Sequence, residues 1–228
     1  VRLMKEIQEQ LHMKKMPNHI ECFDNSNIQG SDPVAGCVVF VKGKPSKKDY
    51  RKYNIKTVEG PDDYASMKEV VKRRYQRAIE EKTPLPDLLI TDGGKGQMSA
   101  VKEVIDELGL NIPIAGLAKD GKHRTSELLY GYPPQTIGLK QHTPLFRLLT
   151  QIQDEVHRFA ISFHRDKRSK RQVASALDSI KGIGEKTKTA LLKEFKSVKR
   201  IKEASLEDIS AIIGEAKAKT VKEGLNNE

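Results

Sequence analysis

Apolar residues recur at Leu3, Met4, Ile7 and Leu11, the spacing of one helix face, and predict a helix over residues 1–16 that Pro17 ends. Ile20 to Asp24 then reads as a short strand. Val34 to Val41 is almost continuously apolar, rich in valine and bounded by Pro33 and Gly43, which predicts a buried strand. Tyr53 and Ile55 alternate with polar neighbours and predict a third, weaker strand. Three strands on short connections make an antiparallel meander.

The period then lengthens. Tyr64, Met67, Val71, Tyr75 and Ala78 mark one face of a helix that begins after Pro61-Asp62-Asp63. Leu88 to Ile90 is a short buried strand ending at Thr91-Asp92, where Gly93 and Gly94 turn the chain. Met98, Val101, Ile105 and Leu108 predict another helix, and Ile112 to Leu117 another strand. Leu128 to Tyr130 and Ile137 to Leu139 read as a hairpin across Gly131-Tyr132-Pro133-Pro134. Leu148, Leu149, Ile152, Val156, Phe159 and Phe163 mark a long amphipathic helix. The fold class is therefore α/β, a mixed sheet flanked by helices. The order β-β-β-α-β-α-β, an insertion, then α is that of RNase H-like nucleases. Doubly wound folds open on βαβ crossovers and rank second.

After His164 the composition shifts. The run Arg165 to Arg171 reads as a linker, and residues 172–228 are helical in pattern throughout. The expected domains are 1–170, the α/β domain, and 171–228, a small all-α domain. Net charge sharpens this division. Of an overall +10, a net +9 lies between Arg165 and Lys202, where 13 Lys/Arg face four acids. So concentrated a charge points to a polyanion, most simply nucleic acid; a solvated lysine-rich helix face is the bland alternative. Charged residues make up 32% of the chain and mean hydropathy is −0.59, with no apolar run near the roughly 20 residues of a membrane span. Cys22 and Cys37 sit in strand-like runs without zinc-ligand spacing, and read as reduced core residues of a cytoplasmic protein. The chain opens on Val1 rather than Met, which reads as a fragment of something longer.

Two carboxylates stand out, because Asp24 and Asp92 each end an apolar strand. Burying such a charge is costly unless something pairs it, and a divalent cation, Mg²⁺ or Mn²⁺, is an economical partner. A local cap at Asp24-Asn25-Ser26 and a turn at Asp92-Gly93 are the competing readings. His157 lies on the long helix off its apolar stripe, with Asp154 and His164 on the same face. It reads either as metal ligand or proton-transfer group, or as an ordinary surface histidine. Asp62 and Asp63 open a helix: one is accounted for as its cap, the other as cap or as ligand support. Gly93-Gly94-Lys95-Gly96-Gln97 fails both nucleotide-binding glycine patterns, yet its backbone N–H groups at a helix start, with Lys95, suit a phosphate.

Ile180-Lys181-Gly182-Ile183-Gly184 between two helical segments is a helix-hairpin-helix pattern. Gly182 and Gly184 let backbone N–H groups approach a DNA phosphate, and Lys181, Lys186 and Lys188 add charge. A plain glycine turn is the alternative. Ile212-Ile213-Gly214 repeats the pattern in eroded form, with Glu215 following, and is expected to pack against the first copy.

Taken together, Ile20 to Asp24, Gly60 to Met67, Arg73-Arg74-Tyr75, Asp92 to Gln97 and Asp154 to Ile161 resemble the UvrC family, in order and over essentially the whole chain. The resemblance implies the C-terminal half of that family: an RNase H-like endonuclease domain followed by a tandem helix-hairpin-helix domain. It implies 5′-side incision next to a lesion in bacterial nucleotide excision repair, on double-stranded damaged DNA, with UvrB as partner and UvrA acting upstream. It places catalytic positions on Asp24, Asp92 and His157, a further acidic position on Asp63, and the phosphate-binding hairpin on Gly182 and Gly184. Many relatives carry His where this chain has Asn27. The rivals are a DNA-binding module with structural carboxylates, and an RNase H-like enzyme acting on RNA–DNA hybrids.

Overall fold

β1 (His19–Ser26) pairs antiparallel with β2 (Val34–Val41) on one side and parallel with β5 (Leu88–Thr91) on the other. This central trio of a computed structural model is the frame on which the rest is hung. The structure describes residues 1–26, 33–60, 62–119, 122 and 125–226, with Thr125 and Ser126 described as backbone only. Asn27 and Pro61 lie outside the described residues. β3 (Lys44–Pro45) and β4 (Arg51–Asn54) both pair with β2. β6 (Ile114–Lys119) runs parallel to β5, and β7 (Thr125–Tyr130) and β8 (Gln135–Gly138) complete the edge as an antiparallel hairpin. The result is a mixed sheet, as the hydrophobic pattern predicts, with its strands in the order β3-β2-β1-β5-β6-β7-β8.

Alternation along the strands sorts side chains to two faces. Ile20, Cys22, Val38 and Phe40 join one core with α1 (Arg2–Gln10) and with Leu145, Leu148, Leu149, Ile152 and Val156 of α4 (Pro144–Asp178). Phe23, Ala35, Cys37 and Leu89 join the other, with α2 (Asp63–Glu81) and α3 (Lys95–Glu107). Both cysteines are buried and free. Among the described residues no helix is long and apolar enough to cross a membrane.

Three elements depart from the pattern reading. The first helix ends at Gln10, not residue 16, because His12 turns left-handed and brings Met13 into the core beside Leu11. The strand expected over 112–117 runs instead from Ile114 to Lys119, carrying a lysine to its C-terminal end. The charge run Arg165 to Arg171, read as a linker, is continuous α-helix within α4. Lys and Arg are good helix formers, so charge density alone does not interrupt a helix.

The chain divides into Val1–Phe163 and a second unit from His164 onward, a division that falls inside α4. In the second unit α5 (Glu185–Phe195), α6 (Val198–Glu203), α7 (Leu206–Ile213) and α8 (Glu215–Asn226) close over Val173, Leu177, Leu191, Ile201, Ile209 and Val221. Ser197 and Ser205 cap α6 and α7 by accepting from Arg200 and Asp208 N–H groups.

β1 is tied to α2 by a buried ion pair. Glu21, 2% exposed, accepts from Arg74 Nε at 2.6 Å and Nη2 at 2.9 Å, from the Tyr75 hydroxyl at 2.9 Å, and contacts His19 Nε2 at 2.7 Å. Burial by itself pushes the Glu21 carboxyl up, but hydrogen bonds from His19 and Arg74, and their charge, outweigh it and hold it at about 2. Its contribution to stability is therefore complete above the ordinary value near 4.5 and is lost as pH falls from there towards 2. Arg74→Leu leaves a buried carboxylate without its cation and should cost about 3–5 kcal/mol in urea unfolding at pH 7. Much of that difference should vanish below about pH 3, where the carboxylate of the variant is protonated.

Candidate metal centre

Asp24 is the sixth residue of β1, and Asp92 follows the last residue of β5. The parallel register pairs Phe23 with Thr91, so the next residue on each strand brings the two carboxylates side by side at the C-terminal edge. Asp92 N–H donates to the Phe23 carbonyl at 3.4 Å and continues the ladder. Gly116 on β6 leaves room for this corner: a Cβ there would lie 2.7 Å from the Gly93 carbonyl oxygen.

His157 arrives from α4. β2 places Gly36 directly opposite Asp24. A Cβ at Gly36 would lie 2.8 Å from Phe159 Cδ1, so glycine lets the helix settle close to the sheet at this point. His157 Nδ1 then lies 3.2 Å from Asp24 Oδ2, its side chain 61% exposed. One ligand atom each from Asp24, Asp92 and His157 lie within 4.8 Å of one another, and among the described residues this is the group whose donors could hold a metal ion.

The carboxylates carry little local compensation. Asp92 accepts from Gln153 Nε2 at 2.7 Å, and Lys119 Nζ stands 3.5 Å from its other oxygen. Burial, and then the charge of Asp92, push the Asp24 carboxyl up to about 6, against the opposing effects of His157 and Lys119. Two hard oxygen donors and an imidazole, crowded into one small volume with their charge in excess, fit a divalent cation such as Mg²⁺ or Mn²⁺.

The other expected residues are placed as follows. Asp62 is the cap of α2, accepting from Ala65 N–H at 3.0 Å. Asp63 is exposed, and the donors within 4.8 Å of one another do not include its carboxylate; its backbone carbonyl accepts from Asn25 Nδ2 at 2.9 Å. Lys95 is exposed and is the first residue of α3, whose N-terminus follows Asp92 by two glycines. Asp154, on the face assigned to His157, lines a separate cavity with His142, Phe146 and Arg147. His164 is buried and belongs to the second unit. Sequence reading missed Gln153 and Lys119. Gln153 carries a signal, being four residues before His157 on one helix face. Lys119 was hidden by the misplaced end of its strand.

In the second unit Gly182 has φ +91°, a left-handed conformation that favours glycine. Gly184 is the N-cap of α5 and offers no side-chain cap, leaving the first N–H groups of the helix open. A Cβ at either glycine would meet nothing within 4 Å. Lys181 and Lys186 are exposed beside them. Lys188 is engaged instead by Asp178 at 2.7 Å.

Comparison with known proteins adds the following. A family model described as UvrC RNAse H endonuclease domain matches residues 8–161, and one described as SAM-like helix-hairpin-helix tandem matches residues 174–227. UvrABC system protein C of Bacteroides thetaiotaomicron is 82% identical over 100% of this chain and 38% of its own length. The Bacteroides fragilis protein of that name is 80% identical, and that of Porphyromonas gingivalis 54%, each over 100% of this chain and 37% and 38% of their own lengths. The chain thus spans under two fifths of these curated relatives. A crystal structure of human ENDOV superposes with a TM-score of 0.42 at 11% identity, covering 73% of this chain and 99% of that one.

The raised Asp24 carboxyl has a consequence for stability. A carboxyl whose folded value exceeds its unfolded one stabilises the fold only while protonated. Its contribution is present below the ordinary 3.8 and is lost as pH rises through about 6. In chelator, the protein should lose on the order of 1–3 kcal/mol between pH 4 and pH 7 from this group. Asp24→Asn should remove that slope and be the more stable form at pH 7, as read by urea midpoints across the range.

Proposed function

Since this chain belongs to the UvrC family and corresponds to its C-terminal part, we propose that it carries the incision 5′ to a lesion in nucleotide excision repair, by metal-dependent hydrolysis of one DNA phosphodiester. The observation that supports this most directly is the convergence of Asp24, Asp92 and His157 donors within 4.8 Å. In this reading Asp24, Asp92 and His157 hold Mg²⁺ or Mn²⁺. A bound cation of that kind activates water and offsets charge on the phosphate in flight.

The protein's own groups do the rest. Gln153 and Lys119 fix the two oxygens of Asp92. His157 has two alternative roles here: it completes the shell of the cation, or, with Nδ1 held by Asp24, it leaves Nε2 to handle a proton of the attacking water. Asp63, beside Asn25 at the start of α2, is proposed as a supporting acid. Lys95 with the α3 N-terminus, and Lys181, Gly182, Gly184 and Lys186 in the hairpin, seat DNA phosphates without reading sequence. The proposed domains are an endonuclease domain over residues 1–170 and a tandem helix-hairpin-helix domain over 171–228. The substrate is double-stranded damaged DNA, the partner is UvrB with UvrA acting upstream, and the compartment is the cytoplasm, in keeping with two free buried cysteines.

In the complete excinuclease with its partners, Asp92→Asn should lower 5′ nicking by more than about a hundredfold. Mn²⁺ should raise the unfolding midpoint of the parent protein and leave that of the variant nearly unmoved. Unchanged nicking would make the carboxylates structural. The paired substitution Lys181→Ala, Lys186→Ala should weaken duplex binding equally on unrelated sequences. It should also make the dependence of log K on log salt shallower by about 1–2.

A further inference from the structure

Tyr64 stands outside the core that its helical spacing assigns it to. Of the residues marking that face of α2, Met67, Val71 and Tyr75 are buried, while Tyr64 is 54% exposed. Its phenol is nevertheless seated. A Cβ at Gly96 would collide with the Tyr64 hydroxyl oxygen and lie 2.6 Å from Cζ and 2.9 Å from Cε1. The rim of the ring therefore occupies the space that a side chain at Gly96 would fill. Gly96 is the second residue of α3 and its φ is not positive, so its backbone conformation does not call for glycine. Glycine is also a poorer helix residue than alanine. What it provides is room for the phenol.

The phenol is tied to both carboxylate-bearing segments. Cα–Cβ bonds in a helix tilt towards its N-terminus, so the hydroxyl lies over the first turn of α3, which follows Asp92 by two glycines. On the other side, Asn25 Nδ2 donates to the Asp63 carbonyl at 2.9 Å. Asn25 follows Asp24, and Tyr64 follows Asp63. Tyr64 thus stands at the rim of the candidate metal centre, between the segments that carry the chain away from Asp24 and Asp92. The Tyr50 and Tyr75 hydroxyls donate to Glu155 and Glu21. Among the described residues the Tyr64 hydroxyl has no such partner in the protein.

We propose that Tyr64 is a contact residue for the strand to be cut: its hydroxyl donates to an oxygen of a backbone phosphate near the scissile one, and its ring lies against the adjoining sugar. The inference rests on the nuclease reading and adds to it a residue that neither holds the cation nor moves a proton. Gly96 lies four residues beyond Asp92, at most about 14 Å of chain. Charges on one strand follow each other every 3.4 Å or so along the duplex axis, so the hydroxyl falls within about four phosphates of one held at the carboxylates. A phenol is an uncharged donor, and phosphate oxygens are the acceptors that a DNA strand presents whatever its sequence. The contact therefore fixes the strand against the site and reads no base, and its effect is on the rate of cutting.

The test uses the complete excinuclease with its partners, saturated with a lesion-bearing duplex. Tyr64→Phe keeps the ring and its seat, and should slow 5′ nicking about tenfold while leaving the unfolding midpoint, and its rise with Mn²⁺, as in the parent. Gly96→Ala should slow nicking at least as much. It pushes the phenol aside, and because the displaced atoms are the outer end of an exposed side chain, the unfolding midpoint should not fall. Substrates with an uncharged methylphosphonate, placed in turn at each of the four phosphates on either side of the cut, locate the contact. At one position the gap between parent and Tyr64→Phe should close. Nicking by Tyr64→Phe at the parent rate, with Asp92→Asn inactive, overturns the proposal. So does a tenfold loss whose gap persists at every methylphosphonate position, which would make the role of the hydroxyl internal to the protein. The nuclease reading fails separately, through an Asp92→Asn protein that still nicks.

Discussion

The structure turns on a repulsion that its sheet does not relieve. Parallel pairing of β1 with β5 carries Asp24 and Asp92 to the same edge, one residue past the last paired couple. Their oxygens lie within 4.8 Å of each other, where two like charges repel by about 3–4 kcal/mol at an effective dielectric near 20. Neither can move away, because each strand is fixed by neighbours on both sides. The cost shows in the Asp24 carboxyl, lifted to about 6 first by burial and then by Asp92. Lys119, at 3.5 Å and partly exposed, offsets it only in part. A fold that keeps such a pair gives up stability for a place where a cation is strongly favoured.

The same logic explains the shape of α4. Its apolar stripe from Leu145 to Val156 fastens it to the sheet, while Gln153 and His157, one turn apart, reach the two carboxylates. This requires a close approach, and Gly36 supplies it directly across from Asp24. The contrast with Glu21 is instructive. That carboxylate is one of the most buried in the chain, yet it is held near 2 because Arg74, Tyr75 and His19 saturate it. One carboxylate is neutralised within the fold and fastens β1 to α2; the other is left with its charge in excess at the edge.

The second unit uses different physics. Among its described residues no cluster of three metal-ligand donors comes together; the unit exposes backbone. Gly182 and Gly184 leave open space where side chains would stand, and the first N–H groups of α5 have no side-chain cap. Such a surface suits an anion of any sequence context, and the flanking lysines give it range.

The mixed sheet, its flanking helices and the helical second unit were legible in the sequence, because burial imposes periods of 2 and 3.6 on any chain that forms them. Asp24 and Asp92 were legible for a related reason: a carboxylate ending an apolar strand is anomalous in one dimension. The convergence of these two with His157 was not legible from residues alone, nor were Gln153, Lys119 or Gly36. Each depends on strand register and on how near one helix lies to a sheet, and those distances join positions up to 133 residues apart. The charge run after Phe163 misled, since helix formation is decided by backbone and packing, not by charge density. Local pattern thus determined which segments are strands and helices and which residues are out of place on them. Only tertiary structure decided which of those residues meet, because a meeting distance is set by packing across the chain and leaves no periodic trace along it.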